Sequence, residues 1–483
     1  MQQPRAPAAQ QPGREAGRQP PLTTQSPVQQ PRAPAAQQPG REAGRRPESV
    51  TNQGGRSPRP NPQVAQQPRQ QPAPFTPPRG SNSASTRDGN TRYTQQDRSW
   101  EVDQGGRVNH FSKPGMDANF ARDGRLTSAR STRPDRTQIE VQRSAHGNRR
   151  VEELRPDRSR VVGFSRDRGF VEHAIPSRPG YFARTNVVDG RYNVSVYREQ
   201  HYRGFVYNRY LAPRYYAPVF YTWAYRPWVF PVVFAWGWYD DPWFGYYDFY
   251  FRPAPVYPTA ALWLTDYLLA ENLRLAYETQ PYWPPTPPPP DMAYGAITPE
   301  IREAIATEVR RQLDAERFEA NSTIPPGASA YEATPPALDP QQRLFVVSMN
   351  ADVTAGGQPC ALTPGDVIMR TGDALLPGNL VAITVLTSKT GDCPANQTAA
   401  IDVALLQEMH NQLREQIDAG LQHLADHQGQ DGLPMGPAPN PRPSPEAQAA
   451  PDPNAATELL KQQEEADRVE QDAVDEIGIP TGG

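Results

Sequence analysis

Lysine is almost missing from this sequence: Lys113, Lys389 and Lys461 are the only three in 483 residues. The basic charge is therefore arginine, a bias that high genomic GC content produces without selection for any function. Cysteine is nearly as scarce. Cys360 and Cys393 stand alone, and two cysteines without a Cys-x-x-Cys spacing point away from a zinc or thioredoxin-like site. Long hydrophobic runs are also lacking. The longest, residues 229–238, contains Pro231 and is about half of what a membrane span needs. The chain begins Met-Gln-Gln-Pro with no apolar signal segment. That start falls inside a repeat, so the expectation is divided. A truncated N-terminus implies a secreted, periplasmic or envelope protein, and a real one implies the cytoplasm.

Catalytic signatures are missing too. There is no HExxH, GxSxG, P-loop or GxGxxG, and the seven histidines are scattered. His423 and His427 stand four apart on one helix but on its polar side, opposite Leu421 and Leu424, which reads as surface rather than a metal site. No enzyme activity, cofactor, metal or small-molecule substrate is expected.

What is present is proline, polarity and segregated charge. With 57 prolines and a mean hydropathy of -0.76, much of the chain cannot bury enough apolar surface to offset the entropy of ordering it. Residues 1–214 carry 36 Lys+Arg against 18 Asp+Glu, and residues 215–483 carry 14 against 35. The near-neutral total hides a basic half and an acidic half. They can attract each other, or the basic half can seek nucleic acid, anionic lipid or acidic polysaccharide.

Residues 2–18 recur unchanged at 29–45, a low-complexity repeat of period 27 with no hydrophobic face to make it a solenoid. A disordered Pro/Gln/Arg-rich arm is expected over 1–134. Short alternating runs follow, and 135–258 reads as β-hairpins leading into a Tyr/Trp/Pro-rich block. The clearest hairpin is 182–188 and 191–198 about Asp189-Gly190, a type I′ signal. Arg-Gly-Phe-Val at 168–171 and again at 203–206 suggests repeated hairpin units. Between Tyr202 and Tyr257 stand 24 of the 44 aromatic residues. Exposed rings there would stack on sugar faces, which makes Trp236, Trp238, Tyr239, Trp243, Tyr246 and Tyr247 candidate contacts for a ligand or partner. The alternative is that they form a buried core.

A packing helix is predicted over 259–280, capped by Thr259, then a polyproline linker over 281–297 and an amphipathic helix over 298–320 starting Thr298-Pro299. Residues 341–428 read as an autonomous small α+β domain with strands at 343–349, 366–370, 380–387 and 398–403 and an amphipathic helix after them. A Pro/Ala-rich acidic tail, 429–483, ends in a marginal helix at about 455–476. Both cysteines fall in the α+β domain. A bond between them would close a loop of about 34 residues and contribute roughly 3.5–4 kcal/mol in the chain-entropy model; two buried free thiols are the alternative.

Leu362-Thr363-Pro364-Gly365-Asp366-Val367-Ile368 resembles the Pro-Gly-Asp-Val-Ile segment of bacterial PDZ domains, where it forms the turn before a strand. Small SH3-like barrels use similar turns. The PDZ resemblance implies capture of a peptide C-terminus by strand addition, although the stretch after Arg370 reads as a hairpin where that fold places a groove helix. The overall order of segments resembles bacterial secreted or envelope proteins that bring no known activity. Arg-Gly-Phe-Val also resembles part of the RNA-recognition-motif core, without the paired strand or βαββαβ order that should surround it.

The fold class expected is thus a largely disordered chain with a short-stranded, aromatic-rich β region, helices, and a small C-terminal α+β domain of PDZ-like or SH3-like type. The function expected is non-enzymatic and structural or adhesive, in an exported protein that binds envelope polymer or protein partners. A PDZ-like peptide-binding adaptor is the alternative, and RNA binding through the arginine-rich half is another.

Overall fold

A five-residue turn recurs along the first half of the chain and explains its architecture. In Thr86–Asn90, Asp103–Arg107, Ala121–Arg125, Arg133–Thr137, Ser144–Asn148 and Arg155–Ser159, the first N–H donates to the fifth carbonyl at 2.8–3.0 Å. The fourth residue has positive φ, between 69° and 83°; it is glycine in four turns and Arg136 or Arg158 in the others. Asp135 Oδ1 and Asp157 Oδ1 each accept the N–H two residues on, both at 2.9 Å, the aspartate turn that favours such chain reversals. Each turn sends the chain back beside itself.

The computed structural model describes residues 74–144, 147–165, 167–280, 295–321 and 334–477, all within one unit spanning Arg69–Gly483. The 27-residue repeat and the polyproline run 284–290 lie outside the described residues.

The turns build a thirteen-stranded antiparallel meander with every strand beside its sequence neighbour. Its strands are β1 (Asn82–Ser85), β2 (Thr91–Gln95), β3 (Arg98–Val102), β4 (Val108–Lys113), β5 (Met116–Phe120), β6 (Leu126–Thr132), β7 (Gln138–Arg143), β8 (Arg149–Leu154), β9 (Arg160–Gly163), β10 (Arg168–Ala174), β11 (Tyr181–Val188), β12 (Arg191–Tyr202) and β13 (Phe205–Leu211). The Asp189-Gly190 hairpin is present, with both residues at positive φ as a type I′ turn requires. The two Arg-Gly-Phe-Val copies are not equivalent. The first opens β10, whereas Arg203 and Gly204 of the second form the turn between β12 and β13.

From Asn82 onward the arm expected to be unstructured up to residue 134 carries β1–β6. The reason lies in the pleat. Each short strand contributes only alternate residues to the apolar side, as in β5, where Met116, Ala118 and Phe120 are buried and Asp117 and Asn119 are exposed. Half-polar strands lower the average hydropathy to that of a disordered segment, although the period of two is intact.

Beyond the sheet come β14 (Arg214–Tyr215), α1 (Pro218–Tyr225), β15 (Pro227–Val232), α2 (Pro242–Tyr247), β16 (Tyr257–Thr259), α3 (Ala260–Thr279) and α4 (Pro299–Asn321). The expected caps are made: Thr259 Oγ1 accepts from Leu262 N at 3.1 Å and Thr298 Oγ1 from Ile301 N at 3.3 Å. Next are β17 (Leu344–Val346), β18 (Ala351–Ala355), β19 (Gln358–Leu362), β20 (Val367–Arg370), β21 (Leu380–Thr387), β22 (Thr398–Asp402) and α5 (Val403–Asp426), then β23 (Arg442–Pro443) and α6 (Ala455–Glu476). A four-stranded sheet has the order β17-β20-β21-β22, with β18–β19 as a separate hairpin. That hairpin is absent from the expected strands. β20 and β21 pair antiparallel after Arg370, and Cys360 and Cys393 are joined, their Cα atoms 5.0 Å apart.

Residues 341–428 do not form a compact unit separate from the rest of Arg69–Gly483. The first half of α5 (Val403, Leu406, Met409) closes the core of the four-stranded sheet. Its second half (Leu413, Ile417, Leu421, Leu424) enters the core built by the aromatic block, α3 and α4. One helix therefore belongs to two cores.

Helix α6 crosses the apolar face of the meander. Ala455 and Leu459 pack with Val161, Val171 and Val187; Ala466 with Ile139, Val141 and Val151; Val469 and Ala473 with Trp100, Phe111 and Ala118. The acids of the helix meet basic residues of the sheet and its turns: Arg143–Glu470 at 2.7 Å, Arg149–Asp467 at 2.8 Å, Arg155–Glu458 at 2.8 Å, Arg133–Glu465 at 3.1 Å and Lys113–Glu476 at 2.8 Å. The basic and acidic halves of the chain thus pair with each other here. A helix that is marginal alone is held by the sheet it covers.

Candidate functional site

The six aromatic residues singled out as contacts separate by burial. Trp236, Trp243 and Tyr247 are buried core residues, and only Tyr239 is well exposed, at 47%, with Trp238 and Tyr246 half-buried. Trp236 stacks between Trp263 and Trp238, at 5.2 Å from each. Its Nε1 donates to Tyr257 Oη at 2.8 Å, which donates in turn to Asp266 Oδ2 at 2.7 Å; Arg302 Nε donates to Asp266 Oδ1 at 2.9 Å. Burial raises Asp266, and Arg302 opposes it. The aromatic block is a core with a satisfied polar centre, which removes Trp236, Trp243 and Tyr247 as ligand contacts. His423 and His427 are part of it as well. Their rings stack at 4.1 Å, and His423 stacks on Trp263 at 5.3 Å, so they are half-buried and not a solvated surface pair.

The turn Leu362, Pro364, Gly365 and Asp366 is also buried. Asp366 accepts from Thr363 N at 2.9 Å and Lys389 N at 3.1 Å and pairs with Lys389 Nζ. Burial and neighbouring Asp392 push Asp366 up to about 8, against the pull of Lys389. Gly365, at φ +96°, passes its carbonyl to Tyr250 Oη at 2.9 Å. These residues tie the disulfide loop to the aromatic core.

The open site lies on the other face of the meander, away from α6. Directly paired residues form one transverse row across β5–β12: Asp117, Arg130, Glu140, Glu152, Val162, Phe170, Asn186 and Asn193. At one strand spacing per step the row runs roughly 34 Å. Beside it Asn119, Ser128, Gln142 and Arg150 form a second row. The segment 349–352 and the start of α5 stand over these rows and enclose a cleft of about 780 Å³. A second cavity of about 490 Å³ continues over β10–β12 towards α3 and α5, and the two share Phe164, Phe170, Met349 and Glu408 in their walls.

The charges in this groove are largely internally matched. Burial alone would raise Glu152, but Arg150 and Arg160 outweigh it and hold it below the usual carboxylate range. Glu408 is likewise held down by Arg184, which is buried beside Glu172 and bonds Tyr197 Oη at 3.0 Å. Alongside the charges, the space is faced by amides and hydroxyls (Asn119, Ser128, Gln142, Asn186, Asn193 and Gln412) and by apolar and aromatic side chains such as Phe164, Phe170, Met349 and Tyr267. At the inner end, Glu415 accepts from Ser195 Oγ at 3.1 Å through one oxygen. Its other oxygen is shielded without a hydrogen-bond partner among the described residues, and burial pushes the acid up to about 7. Such a lining suits a neutral, polar, extended ligand. Phe170 was marked in the sequence, within Arg-Gly-Phe-Val, for another role; the available signal for the groove was the alternation of polar residues between Asp-Gly and Pro-Asp turns.

Among the described residues, His173, Asp452 and Glu458 bring three donor atoms within 4.8 Å. His173 Nε2 lies 2.9 Å from Asp452, and Arg155 holds Glu458, so this group belongs to the seam between sheet and α6. No described helix is long and apolar enough to cross a membrane. No protein-family model matches the chain, and no curated protein matches it significantly.

Proposed function

We propose that this chain is an exported, non-enzymatic binding protein, structural or adhesive in role, that holds an extended envelope polymer along the polar groove of the meander. The observation that carries this reading is the row of paired side chains Glu140, Glu152, Val162, Phe170, Asn186 and Asn193, polar at both ends and apolar in the middle, beneath the two adjoining cavities. Amides and hydroxyls at a regular strand spacing match a polymer of repeating hydroxyl and amide groups, such as a cell-wall polysaccharide, and Phe170 offers a ring for a sugar face. A protein partner in extended conformation would use the same groups.

The test is retention of the full chain on cell-wall polysaccharide, compared with Asn119→Ala/Gln142→Ala. Both side chains border the open cleft, so the variant should fold and bind roughly tenfold or more weakly, in line with the loss of two neutral hydrogen bonds. Equal retention of variant and parent would sink the reading. Substituting Trp236 or Trp243 does not test it, because those residues hold the core.

The adaptor reading rests on the Leu362–Ile368 segment, whose last two residues open β20. C-terminal-peptide binding by the full chain would support it. RNA binding is weakened as a reading by the arginines already paired with α6; steeply salt-dependent RNA binding would restore it.

A further inference from the structure

Residues 225–233 break the rule that the aromatic block is buried. Val229 is 88% exposed, Phe230 77%, Val233 70% and Tyr225 45%. β15 pairs with β16 only at Pro227↔Thr259 and Val232↔Tyr257, with a register irregularity between. That irregularity turns Val229 and Phe230, consecutive residues that a regular strand would send to opposite faces, both into water. Beneath them Trp228 is buried and stacks on Trp223 at 5.5 Å. The adjoining loop lies against the same element, with Gly432 close to the Val233 carbonyl and Gly436 close to the Trp223 ring, and it adds Met435, 75% exposed.

We infer that Tyr225, Val229, Phe230, Val233 and Met435 form an apolar tip that inserts into the outer layer of a phospholipid bilayer and seats the protein on a membrane surface. The size and shape of the patch favour lipid over another protein. A stable protein interface takes about 20–30 residues a side, whereas this patch has five, each projecting from the surface. Side chains exposed by 70–88% meet no pocket of their own, and the acyl boundary of a bilayer receives such projecting groups without one. Tyr225, 45% exposed, supplies an amphipathic ring that settles at headgroup level. The only basic residue within the 225–233 run is Arg226, so attachment is by apolar insertion and should resist salt. The inference is independent of the polymer groove, which lies on the meander.

The experiment is co-sedimentation of the full chain with phosphatidylcholine vesicles at low and high salt, beside Val229→Asp/Phe230→Asp. The parent should bind at both salt concentrations. The variant should lose roughly a hundredfold or more in affinity, with unchanged circular dichroism and unchanged polysaccharide retention. Absence of parent from the vesicle pellet would overturn the inference. So would binding confined to anionic vesicles and abolished by salt, or a parent dimer in light scattering that the variant converts to monomer.

Discussion

The side-chain amide of Gln462 donates to the backbone carbonyl of Val161 at 2.6 Å, across 301 residues of sequence. The same group also lies 3.1 Å from the Val151 carbonyl, so one residue of α6 spans adjacent strands of the meander. Two glycines make this close approach possible. A Cβ at Gly169 would fall 2.3 Å from the Val162 carbonyl and 2.6 Å from Leu459. One at Gly163 would fall 2.2 Å from Gln463 Nε2 and 2.7 Å from Gln462 Oε1, ends that are buried and hydrogen-bonded. Gly169→Ala and Gly163→Ala should therefore each cost about 1–3 kcal/mol. Urea unfolding of the two variants measures the losses, and an unchanged midpoint in either would contradict the packing.

Trp236→Ala should remove about 3–5 kcal/mol, because the ring is 6% exposed and stacked on both sides. Tyr239→Ala, at a 47% exposed ring, should cost far less. Thermal unfolding compares them. A mild effect at Trp236 would mean that the aromatic core is looser than its stacking implies.

Asp418 lies buried beside Glu316 and accepts from Tyr210 Oη at 2.7 Å. Burial raises Asp418 from 3.8 to about 6, although Arg414 opposes the shift, and Glu316 is raised as well. The folded state therefore keeps a proton that the unfolded chain releases, so this group's contribution to stability falls as pH rises from about 4 to about 6 and is level above. Asp418→Asn removes the titration. Relative to the parent, the variant should gain stability as pH rises from about 4 to about 6. A pH-independent difference in urea midpoint would show that the acid is not shifted.

Cys393 is fully buried, and its N–H donates to the Ala361 carbonyl at 2.8 Å, beside its bonded partner Cys360. Reduction, or Cys360→Ser/Cys393→Ser, should lower stability by roughly 3 kcal/mol. Intact mass after alkylation with and without reductant tests the bond itself. Thiols that alkylate without reductant would disprove it in the native protein.

The sequence alone was sufficient for the elements whose signals are local. Thr259 and Thr298 mark helix starts, Asp189-Gly190 marks a hairpin, and the apolar stripe from Leu405 to Leu424 marks α5. In each case neighbouring residues supply the cap, the turn or the period. Tertiary structure decided three things. β3–β6 are covered by α6, more than 300 residues away, which packs on their alternate apolar side chains and pairs with Arg98 and Lys113. The aromatic block became a core rather than a ligand surface because α3, α4 and the second half of α5 close over it. The groove over the meander is lined by residues paired across eight strands, and pairing between distant segments leaves no mark in composition. Burial and charge pairing depend on which surfaces meet, and here the partners are separated by most of the chain.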